Sequence, residues 1–599
     1  MLSSTAAILF QCFVIVLLLP QVILTITYHY RYFPLFVPTL LFVEWVGWFC
    51  FWGRKRHRKG WDKKDGKTII TMGFVVFSLC RACAIMKSSN LSQRRSDHMN
   101  AQERKAALQN IYTLSGYYNS ISGVLGIDQW GGLPDDGVDY RLKVNGFLND
   151  QKRALYFTAE AEELAAYYKE HPLGENDIAS AQIRAFLKQR SFYQDVPKEL
   201  FDEFNRKRVE SMTAWKQARE AKNFDIFKPY MKDVFELRKQ IALALRPNDD
   251  PFATLVDLTD EGLSIDDISR EFNKLREGIV EIRRKIEQSG LEIDNSVLKQ
   301  EQDADDMMNF AKALAREVGY QDSKGGYNEK VIHAFSSTIG PRDARISTAK
   351  HGKPSLIMTI LHESGHSMYG YSSNEAVVEA GLFGGISGGF HEGQARFIEN
   401  FIGRSRAYIH HIYPKLVETF PAYADIPEED FYRALNKVAS TCKRTEADEV
   451  TYNLHVIIRF ELERDYFAGK LSIDEMRDAW NDKYEEYLGI RPQNDLEGIL
   501  QDMHWTGSWI GYFQSYALGN VYDGMIYNAI RKDLPNFSEL VEVGNFEPII
   551  NWLTENIWQY GRSVTAMDLL NKFSDKGLDA QPLLDYLDEK FGKIYGWNK

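Results

Sequence analysis

Residues 264–286 read SIDDISREFNKLREGIVEIRRKI. The apolar positions Ile268, Phe272, Leu275, Ile279, Ile282 and Ile286 follow one another in alternating steps of four and three. That spacing draws a single apolar stripe down an α-helix and leaves the charged side chains on the other faces. Ser264, with Asp267 three residues later, resembles a capping box with Asp in place of Glu. Outward from this stretch, similar amphipathic runs cover 154–170, 199–221 and 473–487, while the best strand-like alternation is 344–348. No internal repeat or low-complexity tract appears. The periodicity therefore predicts a mainly α region beyond residue 100 with one small sheet.

The chain has 599 residues, 26% charged and 44% hydrophobic, an ordinary globular composition with ample length for a large core. Its formal net charge is -11, and no basic stripe appears outside the N-terminal region. Phosphate backbones need a basic face, so nucleic acid is not an expected partner. Of the 5 cysteines, Cys12, Cys50, Cys80 and Cys83 lie near the N-terminus and only Cys442 lies beyond. The long remainder can form no internal disulfide and no thiolate metal cluster. A metal held there must use His and carboxylates.

The N-terminus is a different kind of sequence. Residues 1–30 carry no charge, 6–26 are nearly all apolar, and a second apolar run covers 33–52, interrupted by Glu44. Each is long enough to cross a bilayer. The basic run at 54–59 follows, which the positive-inside rule assigns to the cytosol; a third, weaker apolar stretch at 68–86 contains Arg81. A cleaved signal peptide fits poorly, since there is no positive n-region and a second apolar segment follows at once. Two readings stand. Residues 1–90 are apolar transmembrane helices that anchor a catalytic region, cytosolic if the third stretch does not span. Otherwise, translation of the working protein starts later, at Met99 for example, and the protein is cytoplasmic. In both, 99–599 is the catalytic domain.

Within 357–371 stands His362-Glu363-Ser364-Gly365-His366, an H-E-x-x-H pattern. Residues four apart share a helix face, so both imidazoles can bind one ion. Glu363 is rotated by roughly 100° and falls beside that ion, where it can take a proton from the reacting water. Gly365 lowers helix propensity and allows a neighbouring backbone to approach. Catalytic zinc commonly has three protein ligands and an open position. Glu375 and Glu379 leave little chain for a returning helix. Glu392 is better placed: it follows the Gly-rich connection 381–389 and opens a segment with Phe397, Ile398, Phe401 and Ile402 on one side. A phosphate cradle is the other reading of that connection, but no Lys-Ser/Thr follows it.

These residues resemble the carboxypeptidase Taq family of metallocarboxypeptidases. The resemblance extends over most of the chain beyond residue 100. Asp343-Ala344-Arg345-Ile346-Ser347 is similar to the family's D-x-R-x-T, with Ser for Thr. His391-Glu392-Gly393-Gln394 is similar to H-E-S/G-Q. Lys443-Arg444-Thr445-Glu446-Ala447-Asp448 resembles I-R-x-x-A-D, with Lys for Ile. Residues 498–505 give a full G-x-x-Q-D-x-H-W, and His333-Ala334-Phe335 resembles H-P-F with Ala for Pro.

The resemblance implies a helix-rich, zincin-like metallopeptidase with a deep groove and one divalent ion, normally zinc, with cobalt able to serve. It implies release of single amino acids from peptide C-termini, and a homodimer. Tyr512 is the first candidate donor to the tetrahedral oxyanion, and His504 the second. Arginine binds a carboxylate bidentately, which makes Arg444 the leading candidate for the peptide C-terminus and Arg345 the next. Asp343 and Asp448 are expected to hold neighbouring side chains in place, and His391 to support a ligand. His410, His411 and His455 read as packing or surface residues. Two rivals remain: a dipeptidyl carboxypeptidase or oligopeptidase of related type, and a membrane-tethered binding protein without turnover.

Overall fold

The computed structural model describes residues 99–598 except 174–176 and Ser508, and only the backbone of Asp135, Ile332 and His333. The expected apolar N-terminal helices, the four early cysteines and the His333 side chain lie outside the described residues. No helix among the described residues is long and apolar enough to cross a membrane.

The elements that build and support the site are helices α1 (Ala101–Gly131), α2 (Val138–Ala154), α3 (Ile265–Ser289) and α4 (Ala304–Val318), then strands β1 (Gly325–Asn328), β2 (Lys330–Gly340) and β3 (Asp343–Ala349). After them come α5 (Ser355–Tyr371), α6 (Gly388–Arg396), α7 (Tyr452–Phe467), α8 (Phe513–Asp533) and α9 (Gln581–Tyr595). The described chain is thus mainly α with one three-stranded sheet, of order β1-β3-β2. β3 lies in the centre, parallel to β1 and antiparallel to β2.

The stripe at 268–286 behaves as its spacing predicts. Ile268, Phe272, Leu275, Ile279, Ile282 and Ile286 are all buried on α3. Ser264 caps the helix by accepting from the Asp267 amide at 3.0 Å. Asp267 returns to the Ser264 hydroxyl, 2.6 Å away, so the shorter acid closes on the side chain where a full box closes on the backbone. The run at 154–170 is broken. α2 ends at Ala154, a 3₁₀ turn covers Leu155–Phe157, and Thr158 caps a new helix, Ala159–Glu170, by accepting from the Ala161 amide. The other two runs form helices Lys198–Ala221 and Met476–Leu488.

One large core joins α3, α4, α5 and α6 to the C-terminal helices. Glycines set its tightest contacts. A Cβ on Gly365 of α5 would lie 2.6 Å from the Ala395 Cα, and one on Gly519 of α8 would lie 2.6 Å from the Gly393 amide nitrogen. α6 is therefore held in backbone contact between α5 and α8, as the glycine within H-E-x-x-H led us to expect for its own side.

Candidate metal centre

α5 is apolar on nearly every face and is buried along most of its length, so its imidazoles project from a fixed rod. The rings of His362 and His366 are 5.0 Å apart, one turn from each other. The connection to α6 bends through Gly381 and Gly384, both at positive φ where a side chain would be strained. α6 then starts at its cap, Ser387, which accepts from the Phe390 amide. Glu392, one turn in, faces α5, and its Oε1 is 4.0 Å from His366 Nε2. Two donors about 2 Å from one tetrahedral ion lie about 3.3 Å apart, so closing on an ion asks only a small movement of this pair. One donor atom from each of His362, His366 and Glu392 lies within 4.8 Å of the others, and among the described residues this is the group that could hold a metal ion. Glu375, set aside at the sequence level, pairs with Arg342.

Glu363 sits beside these donors. Its Oε2 is buried without a hydrogen-bond partner among the described residues. Burial lifts its carboxyl to about 7, with the His362 charge opposing and the Glu392 and Glu399 charges adding. An unpartnered buried carboxylate oxygen beside an imidazole pair fits a cation with a reactive water between them.

Each imidazole has a partner behind it. His362 Nδ1 meets Glu399 Oε2 at 3.0 Å, and His366 Nδ1 is 3.4 Å from His391 Nδ1. Burial holds His391 down to about 4, so it is neutral. Burial opposes ionisation of Glu399, yet His362, Arg404 and Arg396 keep it well below the usual carboxylate range. Glu399 and Arg396 were not singled out from the sequence. The signal was there: Glu392, Arg396 and Glu399, the three Asp, Glu, Lys or Arg residues of 388–403, stand at i, i+4 and i+7 and form one stripe of charge. Glu399 also lies in a π-helical turn, Phe397–Gly403, a feature that recurs at functional sites.

The remaining candidates separate. Arg444 is buried, with Nε and Nη2 on Asp502 Oδ1 at 3.1 and 2.8 Å and Nη1 on the Tyr452 hydroxyl at 3.1 Å. The Arg444 guanidinium carbon lies 5.1 Å from the centroid of the Tyr516 ring, and the buried Tyr516 phenol lies in the field of both Glu392 and Arg444. His504 Nε2 is 3.2 Å from the Tyr516 hydroxyl, and its ring stacks on Phe513. Burial holds His504 down to about 3. Tyr512, which immediately precedes α8, lies in the field of Glu392, and its hydroxyl makes no hydrogen bond among the described residues.

Arg345 is not brought to this group. Ala344 and Ile346 pair with Thr338 and Ser336, the residues of β2 that touch α5. Alternation along β3 turns Arg345 to the opposite sheet face. There it makes two bonds to Asp343, 2.8 and 2.7 Å, in a cleft it shares with Lys324 and Arg342. Asp448, expected to hold side chains, accepts from one, the Thr451 hydroxyl at 2.8 Å, and otherwise holds backbone, accepting from the Ala439, Val450 and Thr451 amides. His455 is buried on the Tyr484 hydroxyl, and His410 and His411 pair with Glu428 and Glu317.

A helical pair of imidazoles, a carboxylate from a crossing helix and a buried Glu in between define a helix-rich, zincin-like metallopeptidase. Comparison with known proteins agrees. The family model described as Carboxypeptidase Taq (M32) metallopeptidase matches residues 107–591, and the chain belongs to this family. Carboxypeptidase 1 of Bacillus subtilis is 32% identical over 484 residues, 80% of this chain and 96% of the relative. Thermostable carboxypeptidase 1 of Thermus thermophilus is 30% identical over 508 residues, 82% of this chain and 99% of the relative. The crystal structure of the M32 carboxypeptidase from Deinococcus radiodurans superposes with a TM-score of 0.78 at 31% identity, covering 82% of this chain and 99% of that one. The protein is a peptide hydrolase, a carboxypeptidase that depends on a divalent metal ion.

Proposed function

We propose that His362, His366 and Glu392 hold one zinc ion, with cobalt able to replace it, and that Glu363 moves the protons in cleavage of the last peptide bond. The observation that carries this reading is the convergence of three donor atoms within 4.8 Å beside the buried, unpartnered Oε2 of Glu363. Two imidazoles and a carboxylate form a donor set that suits zinc. When bound, the ion polarises the scissile carbonyl and acidifies the attacking water. Glu363 takes a proton from that water and delivers it to the leaving amine, a task that suits a buried carboxyl whose Oε2 has no competing hydrogen bond among the described residues. The uncommitted Tyr512 hydroxyl donates to the oxygen that gains charge. His504, kept neutral, has its Nε2 on the Tyr516 hydroxyl, so its part on that side is to orient Tyr516, and it reaches the oxyanion only through it.

Arg444 holds the free carboxylate of the peptide. Arg444 and Arg459 share one anion, Asp502, so the cluster retains one positive charge for a substrate. Arg345, committed to Asp343 on the far face of the sheet, is left out of this assignment.

Residues 99–599 carry all of this chemistry, and 1–90 serve as a membrane anchor outside it. Two long apolar runs followed by a basic run support the anchor. A homodimer is the proposed assembly, supported by the exposed apolar side chains Tyr117, Trp130, Tyr140 and Phe147 on and beside the α1–α2 hairpin.

The test is release of free amino acids from an N-acylated peptide with a free C-terminus, using the full chain and the 99–599 polypeptide. Each is assayed as purified, after chelation, and after zinc or cobalt is restored. Stepwise loss of C-terminal residues that requires metal and survives removal of 1–98 is the expected result. Dipeptide products would point to a dipeptidyl carboxypeptidase. Metal binding without cleavage would overturn the assignment of Glu363.

A further inference from the structure

Tyr452 is the first residue of α7 and is 6% exposed. Two arginines meet on it. Its hydroxyl accepts from Arg444 Nη1 at 3.1 Å, and the Arg396 guanidinium lies 3.9 Å from its ring centroid. Arg396 is in turn 3.7 Å from Glu399 Oε2, the atom that meets His362 Nδ1. One tyrosine thus touches both the arginine assigned to the substrate carboxylate and the arginine behind a metal ligand.

The donor count on Arg444 shows what the hydroxyl does. A guanidinium has five N–H groups in one plane. Asp502 Oδ1 takes one from Nε and one from Nη2, and Tyr452 takes one from Nη1. Two remain uncommitted among the described residues, one on each terminal nitrogen. A carboxylate bound bidentately needs two such parallel groups. Asp502 alone holds one edge of the plane through a single oxygen and leaves the far nitrogen free to tilt. The Tyr452 hydroxyl pins that nitrogen. A hydroxyl at this place orients the guanidinium, where a carboxylate would also cancel the charge an anion would meet.

We propose that Tyr452 is a positioning residue whose hydroxyl aims the two remaining N–H groups of Arg444 at the peptide's free carboxylate, and so sets the preference for an acid over an amide at the last residue of the substrate. The proposal rests on the reading of Arg444 as the carboxylate-binding residue.

The experiment uses the full-length, metal-loaded enzyme and Tyr452→Phe, which keeps the ring under Arg396 and removes only the hydroxyl. An N-acylated dipeptide acid is the substrate, and its C-terminal amide is a competitor. The expected result is a rise in KM for the acid of about tenfold, a much smaller fall in kcat, an unchanged inhibition constant for the amide, and unchanged metal content. A merely structural role would weaken acid and amide alike and lower the melting temperature with them, and that outcome overturns the proposal.

Arg444→Lys and the double variant complete the cycle. Because Tyr452 acts through Arg444, adding Tyr452→Phe to Arg444→Lys should cost little more than Arg444→Lys alone, and additive losses overturn the proposal. If Arg444→Lys raises the acid KM and Tyr452→Phe does not, the positioning role falls by itself. If Arg444→Lys leaves the acid KM unchanged, the carboxylate assignment falls and the positioning role falls with it.

Discussion

Glu399 Oε2 accepts a hydrogen bond from His362 Nδ1 at 3.0 Å. Arg404 Nη2, 2.9 Å from Oε1, fixes the other end of the carboxylate. The bond leaves Nε2 of His362 as the lone-pair nitrogen and locks the ring toward the other donors. Glu399→Ala is expected to weaken metal affinity by about 10–100-fold. Competition against a chelator measures this, and saturating metal should restore part of the lost turnover.

Glu363 should behave in the opposite way. It adjoins the donors without joining them, and proton transfer by a positioned group contributes about 10²–10⁴-fold. Glu363→Gln should lower kcat by that order with the bound metal per chain unchanged. Equal activity in variant and parent, at equal metal content, would remove Glu363 from the reaction.

Gly365 should be intolerant of any side chain. The Cβ of Gly365→Ala would meet two backbone atoms, Ala395 Cα at 2.6 Å and Gln394 O at 2.7 Å. Neither can turn aside, so α5 and α6 must separate. A loss of about 1–3 kcal/mol is expected from overpacking of this kind. Glu392 rides on α6, so metal affinity should fall together with the melting temperature.

Glu463 makes stability depend on pH. It is fully buried, accepting from Trp505 Nε1 at 2.7 Å and the Gly511 amide at 2.9 Å, and burial lifts it to about 8. The folded pKa lies above the unfolded value of about 4.3, so the folded chain holds the proton more tightly. The stability from this group is full below about pH 4.3 and is lost as pH rises through about 8. Glu463→Gln cannot ionise. Relative to the parent it should show a shallower fall in stability across that window, by up to about 1.4 kcal/mol per pH unit. Denaturant titrations at several pH values would read the difference in slope.

Much of this protein was legible along the chain, because the features concerned are local. The stripe from Ile268 to Ile286 specifies its helix without reference to anything else. His362 and His366 share a face because four residues make about one turn. Glu392 could be chosen over Glu375 and Glu379 because a returning helix needs a connection of some length. Two further features are local as well: the i, i+4, i+7 run that ends in Glu399, and the strand parity that turns Arg345 away from α5. The rest depended on contacts between distant parts of the chain. Arg444 meets Asp502 across 58 residues, and His362 meets Glu399 across 37. Which hydroxyl stays uncommitted, which carboxyl loses its water, and which arginine keeps a spare pair of donors follow from how α5, α6, α7 and α8 pack. Periodicity determines a helix and its faces by itself, while desolvation and pairing exist only once those faces have met.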